Sequence, residues 1–384
     1  MIYSLLKDWI PDTDRKRVVA NLVELRAQLD LEVPPKNAEA DLLLATWNIR
    51  DLGKVNRRGF GERQSESYFY IAEVLSRFDF VAVQEVNELD EWKKITTILG
   101  PDWDWIATDV TDPGVGGNGE RLTYLYDTRK VHFRNIAGEL VLPAKLLISR
   151  FVKPKKSKSE GKEAETVAVD GKQVGQQFRR TPFAALFQSA WFKYEICTVH
   201  IYYGSESGDE LKERIEEIQR VGEFFGERAE KAFADDRSLI LLGDFNIVSR
   251  QHKTMEALLK AGFEVPKALE EAPATNVGKD KFFDQIVFRT RPGDLDYLDG
   301  KGSGADARAG SVDIFKQLYT ADQFDDYRAD VEATSNAAHK DKDEMQGYYE
   351  EWRTYQFSDH APLWVRLRAD DSEDYLKGLV TAQP

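Results

Sequence analysis

Eight short apolar segments, each four to seven residues long, are spaced along the chain between Leu42 and Leu367. Their length and their content of β-branched and aromatic residues are typical of strands. Helical patterns separate several of them, which indicates sheets covered by helices. The predicted strands are 42–47, 80–83, 122–126, 183–187, 194–199, 239–242, 285–288 and 361–367, and the predicted helices are 67–77, 91–99 and 210–233. The sequence therefore predicts an α/β layered domain.

Regions outside this pattern define the expected domain organisation. Residues 1–40 form a predicted N-terminal helical arm, whose apolar side chains recur at helical spacing and are Val18, Leu22, Leu25 and Leu29. We expect this stripe to pack on the domain, with a membrane-surface or dimer role as the alternative. The domain is predicted over 41–369, with insertions near 153–177 and 291–350, local helices at 312–318 and 348–355, and a C-terminal tail at 370–384.

Composition limits the class of protein. Hydrophobic residues make up 42% of the chain, which suffices for a core, and the lone Cys197 cannot form an internal disulfide. Apolar runs fall far short of the roughly 20 residues of a membrane-spanning helix. We expect a cytoplasmic protein without stable membrane association, and nothing in the sequence implies a protein partner. The formal charge of −14 repels polyanions, so contact with nucleic acid requires a local basic patch.

Acidic and amide side chains follow or precede several predicted strands. They are Asn48, Glu85, Asp244, Asn246 and Asp359, with His360 next to the last. Because strand ends converge on one rim of a layered fold, these groups are predicted to face one cleft. Their oxygens suit a hard cation such as Mg²⁺, whereas Cys197 and the scattered histidines lack the spacing of a zinc site. Each motif alone also fits an ordinary turn or strand end.

Six motifs in order carry a resemblance to a known family. They are ATWNIRDLG (45–53), FDFVAVQEV (78–86), TVH (198–200), LLGDFN (241–246), FFDQIVF (282–288) and FSDHAPL (357–363). Together they resemble the endonuclease/exonuclease/phosphatase superfamily, and within it the deoxyribonuclease I-like branch, from about Asp41 to Arg368. The resemblance implies a four-layer α/β/β/α sandwich of two packed mixed sheets flanked by helices. It also implies a divalent-metal-dependent phosphoesterase.

The resemblance further implies a role for each matching residue. It assigns catalysis to His360, His200, Asp244, Asn246 and Asp284, metal ligation to Glu85, Asn48 and Asp359, and substrate binding to Arg180, Thr275, Asn276 and, more weakly, Arg121. The implied ion is Mg²⁺ or Mn²⁺, with Ca²⁺ as a further alternative. His360 would act as the general base with Asp284 orienting its ring, and His200 would protonate the leaving oxygen.

The expected activity is therefore endonucleolytic cleavage of DNA by activated water. The same core would also suit a phosphatase or phosphodiesterase of a phospholipid headgroup, an inositol phosphate or a nucleotide, and the acidic charge slightly favours this alternative. A catalytically inert binding module is a third hypothesis, although such a module need not retain every one of the matching residues.

A lysine cluster within the first insertion generates a prediction about DNA affinity. Lys153, Lys155, Lys156 and Lys158 form the densest positive cluster of the chain. If all four neutralise phosphates, log affinity should fall with log salt concentration with a slope of up to about −3.6. Changing all four to Ser should flatten that slope and raise KM for DNA, while turnover of a small phosphodiester stays constant. An unchanged KM for plasmid at every salt concentration would contradict this contact.

Overall fold

Two mixed β-sheets lie face to face at the centre of the fold. The computed structural model describes residues 1–54, 59–110, 119–151, 173–337 and 340–381. Its strands are β1 (Asp41–Leu52), β2 (Phe80–Val86), β3 (Trp103–Ala107), β4 (Arg121–Asp127), β5 (His132–Glu139), β6 (Ile148–Phe151), β7 (Gln173–Gln176), β8 (Phe183–Ser189), β9 (Phe192–His200), β10 (Ser238–Asp244), β11 (Asp284–Arg289), β12 (Ala309–Ser311) and β13 (Leu363–Arg368). The first sheet has the order β12-β13-β1-β2-β4-β3 and the second β11-β10-β9-β8-β5. In these sheets β1–β2 and β9–β10 pair in parallel, and the other neighbours are antiparallel.

Helices cover the outer faces of both sheets. They are α1 (Leu6–Trp9), α2 (Asp12–Glu32), α3 (Ser65–Leu75), α4 (Leu89–Leu99), α5 (Gly208–Gly226), α6 (Ala229–Ala234), α7 (Lys253–Lys260), α8 (Lys267–Glu270), α9 (Phe324–Glu332), α10 (Lys342–Gln356) and α11 (Ser372–Thr381). One apolar core joins α2, α3, α4, α9 and α10 to the first sheet, a second lies between the sheets, and a third joins α5, α6 and α7 to the second sheet. Three cores separate four layers, so the predicted α/β/β/α sandwich is confirmed.

The alternation of side chains along the central strands explains this layering. In β1, Leu42 and Leu44 point into the core between the sheets, whereas Leu43 and Ala45 pack against the helices. Strand β10 repeats the pattern, since alternate residues belong to the inner core and to the core beneath α5. Successive side chains of a strand point to opposite faces, so a strand covered on both sides is apolar throughout. These strands are therefore the ones that the sequence marks most clearly.

The N-terminal arm belongs to the outer helical layer of the first sheet. Helix α2 packs beside α3, and the predicted stripe of Val18, Leu22, Leu25 and Leu29 is buried in the core there. Within the described part of the chain, no helix is both long and apolar enough to cross a membrane.

One helix prediction is wrong and a second is wrong in part. The segment 312–318 is not helical: Val312 donates its backbone N–H to Pro362, and Val312 and Leu318 insert into the core as part of a turn. The predicted helix 210–233 is interrupted at residues 227 and 228, between α5 and α6. The predicted helix 348–355 lies within α10 and is confirmed.

The two predicted insertions differ in what the structure describes of them. Residues 152–172, which include the lysine cluster, lie outside the described residues. The segments that flank them, β6 and β7, pair with each other in antiparallel fashion. The segment 291–350 contributes β12 to the edge of the first sheet and α9 to its helical layer.

The packing of the arm predicts a large difference between two changes in α2. Leu25 is fully buried, whereas 61% of Val23 is exposed on the same helix. Leu25→Ala should lower the free energy of unfolding by about 2–5 kcal/mol, because it removes buried methyl groups and leaves a cavity. Val23→Ala should change it by less than about 0.5 kcal/mol. Urea denaturation of both variants measures the difference, and equal midpoints would show that the arm does not stabilise the domain.

Candidate active site

Polar side chains from both sheets meet at one rim of the sandwich. The parallel strands β1, β2, β9 and β10 all end there, and the antiparallel strands β11 and β13 begin there. The register places Asp244 opposite His200 on one side and opposite Asp284 on the other. Strand pairing within the second sheet therefore aligns these three residues, although they are far apart in sequence.

His360 and Asp284 form a buried imidazole–carboxylate pair. Nδ1 of His360 donates to Oδ2 of Asp284 over 2.7 Å, which leaves Nε2 directed at Asp244, 3.7 Å from its Oδ2. Burial lowers the pKa of His360, but Asp284 and Asp244 outweigh it and hold the pKa well above its ordinary value. The indole of Trp47 donates to the His360 carbonyl over 2.8 Å, and Ser358 Oγ accepts from its N–H over 2.9 Å. His360 is thus held through its ring by Asp284 and through its backbone by Trp47 and Ser358.

A second imidazole–carboxylate pair lies on the other side of Asp244. Nδ1 of His200 lies 2.6 Å from Oε1 of Glu120, and its Nε2 lies 3.5 Å from Oδ2 of Asp244. Arg180 Nε lies 2.7 Å from the same oxygen of Glu120 and forms an ion pair with it. Burial and the Arg180 charge lower the pKa of His200, but Glu120 and Asp244 raise it above its ordinary value. Two similarly oriented imidazoles therefore face one carboxylate.

Glu120 is a residue of this site that the sequence analysis missed. It directly precedes β4, and an acidic residue at a strand end was the signal used for Glu85. Its neighbour Arg121 is the weaker of the predicted substrate-binding residues. Arg121 donates to the backbone carbonyl of Asn87, just beyond the end of β2. The structure therefore gives Arg121 a backbone partner close to the site.

Asp244 occupies the centre of the site and is buried. Its Oδ2 accepts from Asn48 Nδ2 over 3.1 Å, and its Oδ1 accepts from the backbone N–H of Asn246 over 2.9 Å. Burial and the neighbouring Asp284 raise its pKa, although both imidazoles act in the opposite direction. Asn246 has φ = 54° and ties its side chain to the Ile201 carbonyl over 2.8 Å. Asn246 thus positions the loop that follows Asp244.

Gly243 allows β10 to approach β9 closely just before Asp244. Its φ is 132°, and a Cβ placed there would lie 2.1 Å from the carbonyl oxygen of Val199. A side chain at this position would therefore force the two strands apart. The glycine of the LLGDFN motif is required by the strand pairing that aligns Asp244 with His200.

Glu85 is held at the end of β2 in a left-handed conformation with φ = 62°. Its Oε1 accepts from Asn48 Nδ2 over 3.0 Å, and its Oε2 accepts from the N–H of Asp51 over 2.7 Å. Burial raises the pKa of Glu85, but the charge of His200 and the hydrogen bonds from Asn48 and Asp51 lower it below its ordinary value. The carboxylate is therefore stabilised in its ionised form.

The donor set at this rim is compatible with a hard cation. Ligand atoms of Glu85, Glu120 and His200 all lie within 4.8 Å of one another. Asn48 directs its amide nitrogen at Glu85, while its Oδ1 accepts from the N–H of Arg50 over 2.9 Å. Ligation through Asn48 oxygen would therefore require its amide to turn. Carboxylate oxygens dominate the set, as Mg²⁺ prefers.

Asp359 lies beside Glu85 and is paired with Arg50. Nη1 of Arg50 is 3.2 Å from Oδ2 of Asp359, and the guanidinium lies 3.9 Å from the ring centroid of Tyr355 in α10. Burial and the charge of Glu85 raise the pKa of Asp359 above its ordinary value, although the charges of His360 and Arg50 act in the opposite direction. Arg50 thus connects the proposed metal ligand to the helical layer.

The other predicted substrate-binding residues have defined partners. Arg180 lies in the site, bound to Glu120 and with 20% of its side chain exposed. Thr275 is buried, and its hydroxyl accepts from the N–H of Asp284 over 3.2 Å. Asn276 pairs with His360 through the backbone, but its side chain binds Asp280 over 2.7 Å and closes its own turn. The structure therefore brings Arg180 and Thr275 to the reacting groups more directly than Asn276.

Comparison with known proteins agrees with the motif pattern. No family model matches the chain. A deoxyribonuclease from Thioalkalivibrio sp. (strain K90mix) is 28% identical over 221 residues, which cover 56% of this chain and 48% of that protein. The chain thus spans about half the length of this curated relative.

Solved structures with a similar fold include an endonuclease/exonuclease/phosphatase family protein from Bacteroides thetaiotaomicron, 18% identical with a TM-score of 0.49, covering 86% of this chain and 96% of that one. The human Nocturnin catalytic domain is 11% identical with a TM-score of 0.49, covering 88% and 95%. The sequence similarity to a deoxyribonuclease agrees with the resemblance that the motifs carry.

The His360–Asp284 pair generates a prediction for the pH dependence of activity. Asp284 raises the pKa of His360, so Asp284→Asn should lower that pKa and move the corresponding limb of the pH–rate profile to lower pH. The maximal rate should fall as well, because an amide no longer stabilises the imidazolium. Asp322→Asn, at an exposed position outside the site, is the matched control and should leave the profile unchanged. If this limb of the pH–rate profile lies at the same pH in Asp284→Asn and in wild type, Asp284 does not set the pKa of His360.

Proposed function

We propose that this chain is a divalent-metal-dependent phosphodiester hydrolase that cleaves DNA within the strand by attack of water. The observation that carries the proposal is the pair of imidazole–carboxylate units, His360–Asp284 and His200–Glu120, whose Nε2 atoms both face Asp244. Hydrolysis of a phosphodiester needs one group to accept a proton from water and another to donate a proton to the leaving oxygen. Two imidazoles on opposite sides of one carboxylate meet that need.

His360 acts in this proposal as the general base. Asp284 holds the N–H on Nδ1, so that Nε2 can take the proton from the attacking water. Because the neighbouring carboxylates favour the charged ring, His360 must lose its proton before each turnover. His200 acts as the acid, with Glu120 fixing its ring in the same way. Asp244 and Asn246 together position the attacking water.

Glu85 and Asp359 would hold the cation, with Asn48 as a further ligand after its amide turns. The ionised state of Glu85 and the number of carboxylate oxygens fit Mg²⁺ or Mn²⁺, with Ca²⁺ as an alternative. When bound, such an ion supplies a positive charge that polarises the scissile phosphate. Arg180, which Glu120 orients, would grip a phosphate oxygen through the rest of its guanidinium.

DNA is the proposed substrate because the curated relative is a deoxyribonuclease and the motif details resemble that branch. The rival is a phosphatase or phosphodiesterase acting on a phospholipid headgroup, an inositol phosphate or a nucleotide, which the net charge of −14 favours. A plasmid-nicking assay run beside a phosphate-release screen separates the two. Phosphate release without nicking would favour the rival. The absence of both activities would favour an inert module.

The division of roles predicts different effects of two variants. Activity should require a divalent cation and disappear in excess chelator. Glu85→Gln should weaken metal binding, because it removes the principal anionic ligand. His360→Ala should leave metal affinity nearly intact but lower kcat by roughly 10²–10⁴-fold, as expected for a lost acid–base group. Metal titration by calorimetry beside plasmid nicking measures both, and an equal loss of metal affinity in the two variants would contradict the assignment.

A further inference from the structure

A cleft of about 640 Å³ lies beside the His360 loop, and Asn276 is the candidate substrate-binding residue in its lining. One wall is made by Asn276, Val277 and Ala361, and the other by Phe315 and Arg353. Its volume is within the range of roughly 300–1,000 Å³ that is usual for small-molecule sites. The second wall comes from the segment around 312–318 and from α10, which lie outside the superfamily motifs.

The first wall is continuous with the catalytic loop. The backbone of Asn276 pairs with that of His360, and the N–H of Val277 donates to the carbonyl of Asp359 over 3.1 Å. Ala361 directly follows His360, so its Cα lies only about 3.8 Å from that of the proposed base. A group bound in the cleft would therefore contact the loop that carries His360.

The charges that line the cleft are balanced with one exception. Its acidic side chains are both neutralised, Glu32 by Lys316 over 2.9 Å and Asp313 by Lys279 over 2.6 Å. The partners of Arg353 are a backbone carbonyl and an aromatic ring, and within the described part of the chain no ion pair joins it to a carboxylate. The cleft thus retains one positive charge.

Arg353 lies over an aromatic ring. Its Nη1 donates to the Tyr319 carbonyl over 2.9 Å, and its guanidinium carbon lies 4.6 Å from the ring centroid of Phe315. Phe315 in turn meets Phe357 edge to face, with ring centroids 6.2 Å apart. This wall therefore places a positive charge against an aromatic ring, and both guanidinium groups and aromatic rings bind nucleobases by stacking.

We infer that this cleft binds the nucleoside next to the scissile phosphate, with its base stacked on the Phe315–Arg353 pair. The inference rests on the proposed function and adds to it a preference for substrates that carry a base next to the scissile phosphate. A substrate with a base at this position gains affinity, whereas a phosphoester without a planar group does not. Selection of nucleic acid over other phosphoesters would then come from this cleft, because the catalytic residues contact only the phosphodiester.

The test compares a DNA trinucleotide of adenines with the same backbone carrying abasic tetrahydrofuran residues. Phe315→Leu keeps an apolar side chain but loses the planar face, so KM for the trinucleotide should rise about tenfold while KM for the abasic backbone stays constant. Phe315→Tyr should retain the wild-type KM, which controls for misfolding. Trp191→Ala removes a half-exposed aromatic residue before β9, at the end of that strand opposite His200, and should change neither KM. Equal changes on both backbones in Phe315→Leu, or no change, would overturn the inference.

A binding measurement separates this inference from the proposed activity. A trinucleotide containing 2-aminopurine should lose fluorescence on binding to wild type in chelator, because stacking quenches that base, and Phe315→Leu should abolish the loss. Quenching that depends on Phe315 without cleavage of DNA would leave the cleft assigned and refute the nuclease. Absence of quenching would overturn the cleft assignment even if plasmid is nicked.

Discussion

The carboxylate of Asp244 is buried where the two sheets meet, and an ionised group in such a place costs several kcal/mol unless it is paired. Its partners come from both halves of the sandwich. Asn48 reaches it from the first sheet, and His200 and the loop of Asn246 reach it from the second. The site therefore forms only when the sheets are docked, and the geometry of catalysis depends on the same packing that forms the inner core.

Two buried arginines hold the loops around this carboxylate. Arg63 donates to the backbone carbonyls of Ile49, Arg50, Gln356 and Phe357, and Arg214 donates to those of Tyr203, Ser205 and Asn246. Loop carbonyls that cannot join a strand ladder still need donors when they are buried, and a guanidinium offers several in a fixed plane. Each arginine thus ties together segments that carry site residues. The rigidity of the rim comes from these side chains as well as from the sheets.

The sequence identifies those parts of the fold that are buried on both faces. Central strands such as β10 are continuously apolar, so their positions and the polar residues that follow them are evident from the chain alone. Edge strands are not evident from the chain in this way. Strand β5 is mostly exposed and polar, and nothing in its composition distinguishes it from a loop. The segment 312–318 was misjudged because buried apolar residues occur in turns as well as in helices. The sequence does not reveal Glu120, because its partner His200 is distant in sequence and belongs to the other sheet, so that only the packing of the two sheets brings them together.

The arm and the segment 291–350 lack superfamily motifs, yet they are bound to the domain by a buried polar cluster. Arg17 of α2 contacts both carboxylate oxygens of Glu66 in α3 at 2.8 Å, and Tyr327 of α9 donates to the same carboxylate over 2.6 Å. A buried charge pair of this kind specifies one arrangement of the three helices, because any other leaves a charge without a partner. The same segment 291–350 supplies Phe315. The motif residues therefore build the proposed active site, while the chain between the motifs supplies one wall of the neighbouring cleft.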